Sequence, residues 1–248
     1  MKRFSPMLGV LGGLGPMSTF YFCELLTKHT KASSDRDHID MLISSRATTP
    51  DRTAFILGAS PENPLPVMQE EADRLIAGGA DLLVIPCNTA HYFYDGLAAH
   101  CRVPILNIIR ETVEHLHTSG VRTFGLLATE GTIASRSYHR PAEEKGMTCL
   151  SPDQKGQAVV NDAIFSAIKR GEPVDYHALS EVFSALQARG CECLILGCTE
   201  LSLLDRTQLP PLPLVDALEV LAYRTILACQ KEPIGFSFDL FSKTEETV

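Results

Sequence analysis

Short apolar runs alternate with amphipathic segments along most of the chain. The runs at 7–11 and 82–85 are continuously apolar, as expected for strands that are buried on both faces of a sheet. Residues 45–66 are mostly polar and predict a loop. Regular alternation of strands and helices predicts parallel sheets with right-handed crossovers. The pattern predicts strands at 7–11, 39–44, 82–85, 104–108, 122–128, 147–150, 194–196 and 214–215, and helices at 18–28, 67–77, 90–100, 109–117, 159–170, 176–189 and 217–229.

The two halves of the chain repeat each other around two cysteines. Each half has an acidic residue, an apolar run, a one-residue break and then a cysteine followed by small polar or acidic residues. Cys87 and Cys198 lie 198 − 87 = 111 positions apart, and Asp81 and Glu192 have the same spacing. Both cysteines therefore follow a predicted strand at equivalent places, and we expect their thiols to face each other across a cleft.

A second pair of matching segments supports a duplication. Gly9 and Gly125 each lie inside an apolar run that a later glycine closes, and they are 125 − 9 = 116 positions apart. The predicted fold class is α/β, with two pseudo-symmetric domains, each a parallel sheet flanked by helices, and the active site in the cleft between them. The predicted boundaries are 1–105 plus 214–230 for the first domain, 106–213 for the second, and 231–248 for a tail that the pattern does not place.

Composition narrows the class of protein. A formal charge of −8 over 248 residues argues against nucleic acid or an anionic membrane surface as a partner. No apolar run reaches the length of a membrane span, and eight cysteines are too few for a disulfide scaffold in a chain of this size. We therefore expect a soluble protein of a reducing compartment, the cytoplasm, with no membrane or nucleic-acid partner.

The paired cysteines predict proton-transfer chemistry. Ligands of α/β sheets bind beyond the carboxyl ends of strands, where Cys87 and Cys198 lie, and a helix N-terminus there would lower a thiol pKa. Asn88, Thr89 and Thr199 follow directly and offer hydrogen-bond donors to a carboxylate or an enolate-like oxygen. A thiolate and a thiol on opposite faces of one carbon remove a proton from one side and return it to the other, which is racemisation by two bases.

Five motifs spread over nearly the whole chain resemble the aspartate/glutamate racemase family, the cofactor-independent two-cysteine amino-acid racemases. Any one of these motifs alone would be weak, whereas together they are specific. The resemblance implies two similar α/β domains, a site between them, a homodimer, and no pyridoxal phosphate or metal. The motifs are Gly-Gly-Leu-Gly-Pro at 12–16, Pro-Asp-Arg-Thr at 50–53, Pro-Cys-Asn-Thr-Ala-His at 86–91, Leu-Leu-Ala-Thr at 126–129 before Gly-Thr at 131–132, and Gly-Cys-Thr-Glu at 197–200.

The same resemblance assigns roles to individual residues. It implies that Cys87 and Cys198 are the acid/base pair and that Thr129 contacts the substrate. Arg52, supported by its neighbour Asp51, would hold a substrate carboxylate through a bidentate contact. The resemblance also implies a second cationic contact, for which Lys169 is the better match and its neighbour Arg170 the alternative.

Two further residues near the cysteines have open roles. His91 would either orient the loop that carries Cys87 or cap the helix that follows it. Glu200 would either tune the thiol of Cys198 or occupy a helix N-terminus, where an acidic side chain is stabilising.

A Cys-x-Cys pair, Cys191 and Cys193, raises the alternative of a metal site. Alternation along a strand would put both side chains on one face, where they could ligate together. No His/Cys set at zinc spacing follows them in the sequence, so we expect these thiols to pack in the core and expect no metal site.

The sequence therefore predicts a racemase that interconverts L- and D-aspartate without a cofactor. A glutamate or broad-specificity amino-acid racemase is the first alternative, since one methylene is worth only about 1–3 kcal/mol in a pocket. A related isomerase or decarboxylase of small diacids is the second. Outside enzymes, the alternative is a ligand-binding regulatory protein, although a binder needs neither cysteine.

Overall fold

A computed structural model describes residues 5–236 of the chain. It contains two four-stranded sheets, and every strand pair in them is parallel. The strand orders β2-β1-β3-β4 and β6-β5-β7-β8 are the same topology used twice, so the predicted two-sheet α/β fold is confirmed. The strands are β1 (Leu8–Gly12), β2 (Met41–Ser45), β3 (Leu82–Val84), β4 (Ile105–Leu106), β5 (Thr123–Leu127), β6 (Thr148–Leu150), β7 (Cys193–Leu196) and β8 (Leu214–Asp216).

Ten α-helices lie within the described residues, and side chains cap several of them. The polar segment 45–66, for which we expected a loop, contains a short helix because Asp51 caps its first turn by accepting from the backbone N–H of Ala54 at 2.7 Å. The helices are α1 (Pro16–His29), α2 (Arg52–Ile56), α3 (Leu65–Ala77), α4 (Tyr94–His100), α5 (Ile108–Thr118), α6 (Glu130–Ala134), α7 (His139–Glu144), α8 (Gln154–Asp162), α9 (Tyr176–Ala188) and α10 (Ala217–Ala228). A π-helical segment, Ala163–Ile168, continues α8.

The central strands show the duplication at atomic level. Gly9 of β1 pairs with Leu83 of β3, and Gly125 of β5 pairs with Leu194 of β7. A Cβ on Gly9 would lie 2.5 Å from a methyl carbon of Leu83, and one on Gly125 would lie 2.3 Å from that of Leu194. Both sheets therefore exclude a side chain at the same point of the central strand, because the neighbouring leucine fills that space.

One hydrophobic core joins the two halves. Its buried side chains come from both central strands and from the helices between the sheets, where α10 packs against α1 and α5. Two further clusters lie on the outer faces, one around α3 and β3 and the other around α8, α9 and β7. Helices thus cover both faces of each sheet, which explains why the central strands are apolar on both sides.

The end of the chain differs from the predicted division. We expected 214–230 to belong to the first domain, but β8 pairs with β7 in the second sheet, as β4 pairs with β3 in the first. The following helix α10 packs on α1 and α5. Of the tail that the pattern did not place, Pro233 forms an antiparallel bridge with Thr30, and residues 237–248 lie outside the described range. No helix within residues 5–236 is both long and apolar enough to cross a membrane.

Candidate active site

Both repeated cysteines line one cavity at the carboxyl ends of the central strands β3 and β7. Cys87 is 6% exposed and Cys198 is 4% exposed, so each thiol reaches the cavity from a buried loop. Ten of the eleven residues that the sequence suggested for the site line this cavity. They are Asp51, Arg52, Cys87, Asn88, Thr89, Thr129, Lys169, Cys198, Thr199 and Glu200.

His91, the eleventh residue, lies behind the loop of Cys87 and does not line the cavity. Its Nε2 accepts from the backbone N–H of Ile108 at 3.3 Å, so the ring proton is on Nδ1, which donates to the carbonyl of Cys87 at 2.8 Å. Burial lowers the pKa of His91 to about 4, and the ring is neutral near pH 7. Its geometry therefore suits orientation of the Cys87 loop rather than proton transfer.

Cys198 contacts an acidic side chain directly. Its Sγ donates a hydrogen bond to Oε2 of Glu200 at 2.9 Å, and Nζ of Lys169 lies 3.4 Å from Oε1 of the same carboxylate. Burial alone would lower the pKa of Lys169, but Glu200 and the two cysteines raise it above its usual value. The ammonium also lies 4.9 Å from the ring centroid of Phe165. Lys169, and not its neighbour Arg170, is thus the second cation at the cavity beside Arg52.

The expected lowering of the thiol pKa values by helix N-termini is wrong for this structure. Burial raises the pKa of Cys87, although Arg52 acts in the opposite direction. Burial and the carboxylate of Glu200 together raise the pKa of Cys198 well above its usual value. The segments after the two cysteines are short 3-10 helices, Thr89–Phe93 and Leu201–Leu203, so few aligned peptide dipoles offset the loss of water.

Arg52 reaches the cavity from the first residue of α2. Its Nη1 donates to the carbonyls of Pro50 and Thr49 at 3.0 and 3.3 Å, and its Nη2 donates to the carbonyl of Leu14 at 2.9 Å. Of the five N–H donors of a guanidinium, these contacts use three and leave two, among them the Nε–H. The remaining donors are able to bind a carboxylate.

Two hydroxyl networks support residues that line the cavity. The hydroxyls of Thr89, Thr129 and Thr132 lie 2.9–3.1 Å from one another and link the two halves. The hydroxyl of Tyr138 donates to Oδ1 of Asn88 at 2.6 Å, which fixes the amide so that Nδ2 is its free donor. That buried Nδ2 has no partner among the described residues, which suits an acceptor oxygen of a ligand.

The comparison with known proteins agrees with this geometry. The model of the Asp/Glu/hydantoin racemase family matches residues 11–225. The chain belongs to this family. The family resemblance carried by the five motifs is therefore confirmed, and the family supports an enzyme that racemises an amino acid.

Individual racemases extend the comparison over nearly the whole chain. The broad specificity amino-acid racemase RacX of Bacillus subtilis (strain 168) is 28% identical over 236 residues, which are 89% of this chain and 96% of RacX. The structure of Picrophilus torridus aspartate racemase is similar with a TM-score of 0.83, at 25% identity, covering 95% of this chain and 99% of the other. Glutamate racemase from Francisella tularensis, solved with D-glutamate, has a TM-score of 0.62 at 19% identity, covers 90% and 81%, and shares the fold.

Five residues at this racemase cavity were not predicted from the sequence. Leu14, Thr53 and Thr132 lie inside motifs that we had noted, so their proximity could have been inferred. Phe165 and Tyr138 reach the cavity or its wall only through tertiary packing.

The alternative of a metal pair in this racemase does not fit the positions of Cys191 and Cys193. Cys191 precedes β7 and packs in the outer cluster of the second sheet, whereas Cys193 packs in the core between the sheets. The two side chains therefore lie on different faces of the sheet. This differs from the expectation from alternation along one strand, which placed both on the same face. Burial raises the pKa of both thiols, as expected for core cysteines.

Proposed function

We propose that this racemase interconverts L- and D-aspartate by two-base proton transfer, with Cys87 and Cys198 as the acid/base pair. The observation that carries the proposal is that both thiols line one small cavity together with two cationic side chains, Arg52 and Lys169. The thiols come from equivalent strand ends of a duplicated fold, so they approach a bound molecule from the two halves. This arrangement supplies one proton-transfer group for each face of an α-carbon.

The proposed reaction conserves the charge of the cysteine pair. A thiolate takes the α-proton from one face, and the thiol on the other face gives its proton to the resulting carbanion. Because burial raises the thiol pKa values, a thiolate formed here is a stronger base than one in water. The α-proton of an amino acid is weakly acidic, so a desolvated, strongly basic thiolate suits its removal.

Donors at the cavity wall would stabilise the negative charge that develops on the substrate. The Nδ2 of Asn88, which has no partner within residues 5–236, is buried and suits the α-carboxylate, where the carbanion delocalises its charge. Thr89 and Thr199 line the same cavity and offer further donors. Stabilisation of this kind raises the rate only if the donors bind the carbanion more tightly than the bound amino acid.

The cations favour a substrate with a second carboxylate. Two N–H donors of Arg52 are not used by its backbone contacts, and no carboxylate among the described residues forms an ion pair with its guanidinium. Lys169 already faces Glu200, so it would be shared between that side chain and the substrate. We therefore expect Arg52 to make the main contact with the side-chain carboxylate of aspartate.

A broad-specificity racemase is the second candidate, and an adjoining cavity favours it. This second cavity is larger and more open, and it shares Arg52 and Lys169 with the first. Pro16, Met17 and Ile168 add apolar surface to it, and Met17 is exposed. A longer or less polar substrate side chain would fit there, and RacX, a similar chain, is a broad-specificity enzyme by name.

Deuterium exchange across a panel of amino acids tests the proposal. The wild-type chain in D2O is incubated with both enantiomers of aspartate, glutamate and alanine, and with maleate, followed by chiral chromatography and mass spectrometry. We expect α-deuteration and inversion of both aspartate enantiomers, with glutamate about 10- to 200-fold slower as a one-methylene mismatch. Comparable rates on alanine would favour the broad-specificity enzyme, conversion of maleate would favour a diacid isomerase, and no exchange at all would refute a racemase.

We also expect a homodimer, which light scattering would test.

A further inference from the structure

The repeat that relates the two cysteines fails at one neighbouring position. Cys198 is followed two residues later by Glu200, whereas Cys87 is followed two residues later by Thr89. The offset of 111 that relates the cysteines also relates these two residues, since 200 − 111 = 89. One half of an otherwise duplicated site thus carries a carboxylate, and the other half carries a hydroxyl.

The fold provides a closely fitted place for the Glu200 carboxylate. Glu200 is 5% exposed, and its two oxygens contact different groups, Oε2 the sulfur of Cys198 and Oε1 the ammonium of Lys169. A Cβ on Gly15 would lie 2.7 Å from Oε1, so the loop after β1 approaches the carboxylate without a side chain. The first half of the chain therefore makes room for an acidic residue of the second.

Cys87 has a different environment. The hydroxyl of Thr89 bonds to Thr129 and Thr132, and no carboxylate within residues 5–236 forms a hydrogen bond with the Cys87 sulfur. Arg52 and Lys169 both favour a negative charge on that sulfur, whereas Glu200 acts on it only from a distance. The titratable and charged groups that face Cys198 are Glu200, Lys169 and Tyr138. Cys87, Arg52 and Asp51 lie at the same cavity.

We infer that Glu200 is a positioning residue that keeps a proton on the sulfur of Cys198 in the empty site, so that Cys87 is the first base to meet a substrate. The inference rests on the proposed two-base function. The Cys87 thiolate takes the α-proton and becomes a thiol, and Cys198 gives its proton to the carbanion and becomes a thiolate. The Cys198 thiolate then faces the Glu200 carboxylate. This repulsion favours reprotonation of Cys198 by solvent and loss of the proton from Cys87, which restores the resting state.

Site-resolved alkylation measures this assignment without requiring racemase activity. Each protein reacts with iodoacetamide over a range of pH, and peptide mass spectrometry gives the midpoint of alkylation for Cys87 and Cys198 separately. In the wild-type chain we expect the lower midpoint at Cys87. In Glu200→Gln we expect the midpoint of Cys198 to fall by one pH unit or more, a tenfold change in thiolate at fixed pH, and that of Cys87 to move less.

Two further variants test the effect of neighbouring charges on the Cys198 thiol. Lys169→Met removes the cation and should raise the alkylation midpoint of Cys198, whereas Glu200→Gln should lower it. Lys169→Met therefore tests the role of the neighbouring charges on Cys198 if Glu200→Gln does not fold. Asp51→Asn is the matched control, because Asp51 lines the same cavity but bonds to a backbone N–H and not to a sulfur. It should leave the midpoint of Cys198 unchanged.

Three results would overturn the inference. The first is that the alkylation midpoint in the wild-type chain is lower at Cys198 than at Cys87. The second is that the midpoint of Cys198 does not change in Glu200→Gln, and the third is that the midpoints of both cysteines shift equally in that variant. Failure of the proposed function can be told apart from failure of this inference. A chain that exchanges no α-proton with solvent still shows by alkylation which of its two thiols has the lower midpoint.

Discussion

Replacing Tyr138 by Phe removes a single hydroxyl that supports the cavity from behind. Tyr138 is fully buried, and its hydroxyl donates to Oδ1 of Asn88 at 2.6 Å. The ring still fills its space in Tyr138→Phe, so the main loss is the hydrogen bond. Oδ1 of Asn88 is then left buried without its donor, which costs about 1–3 kcal/mol. For a chain of this size about 2–4 °C of Tm corresponds to each kcal/mol, so Tm should fall by roughly 2–12 °C.

The same substitution should weaken substrate binding. Without Tyr138 the amide of Asn88 is free to rotate, and its Nδ2 no longer has a fixed direction. Loss of one ordinary hydrogen bond to the substrate, about 0.5–1.5 kcal/mol, corresponds to roughly a 2- to 10-fold rise in KM for aspartate. Thermal unfolding followed by circular dichroism gives Tm, and racemisation followed by polarimetry gives KM.

Tyr94→Phe is the matched control. The Tyr94 hydroxyl donates to the carbonyl of Ile105 at 3.2 Å, is only partly buried and does not line the cavity. We expect a smaller fall in Tm and an unchanged KM. The reasoning is refuted if Tyr138→Phe leaves both Tm and KM at wild-type values, or if both variants behave alike.

Three further substitutions test separate parts of the site and fold. Arg52→Ala should raise KM for aspartate by about 10- to 100-fold, because it removes a charged contact, and it should alter KM for alanine far less. If steady-state assays show equal effects on the two substrates, Arg52 binds the α-carboxylate instead. Gly15→Ala should lower kcat by roughly 10- to 100-fold, because the backbone at φ −97° accepts Ala but its Cβ would press on Glu200; an unchanged kcat would disprove that contact. Burial and the neighbouring Asp216 raise the pKa of Glu219 to about 7, whereas the pKa of a glutamate in the unfolded chain is about 4.3. The folded state therefore holds this proton more tightly, and the resulting contribution to folding stability is lost as the pH rises from about 4.3 to about 7. Wild-type Tm should therefore fall relative to Glu219→Gln from pH 5 to pH 8, and parallel Tm curves would show that Glu219 does not titrate in this way.

The sequence predicted the sheets and the strand ends because their causes are local. Apolar runs between glycines define buried strands, and parallel strands bring their carboxyl ends to one edge, where Cys87 and Cys198 meet one cavity. The short helix α2 was missed because it has only five residues and depends on the cap of Asp51. The edge strand β8 was expected in the other half because three residues carry too little pattern to choose a sheet.

The electrostatics of the cavity depend on contacts that no local pattern contains. The direction of the thiol pKa shifts was wrong because burial, a property of the whole fold, outweighs the few backbone donors near each cysteine. Tyr138 lies 50 positions from Asn88, and its support of that amide follows only from the packing of the two halves. The sequence thus identifies which residue types approach the cavity, whereas their protonation and mutual support require the tertiary structure.

Proton exchange by single-cysteine variants tests the central claim most directly, namely that Cys87 and Cys198 act on opposite faces of one α-carbon. Cys87→Ala and Cys198→Ala are each incubated in D2O with L-aspartate and with D-aspartate, and deuterium and configuration are measured separately. The account predicts that both variants lose racemisation and that any remaining exchange, with retention, is confined to one enantiomer in each variant and to opposite enantiomers in the two. Racemisation at the wild-type rate by either variant would contradict it.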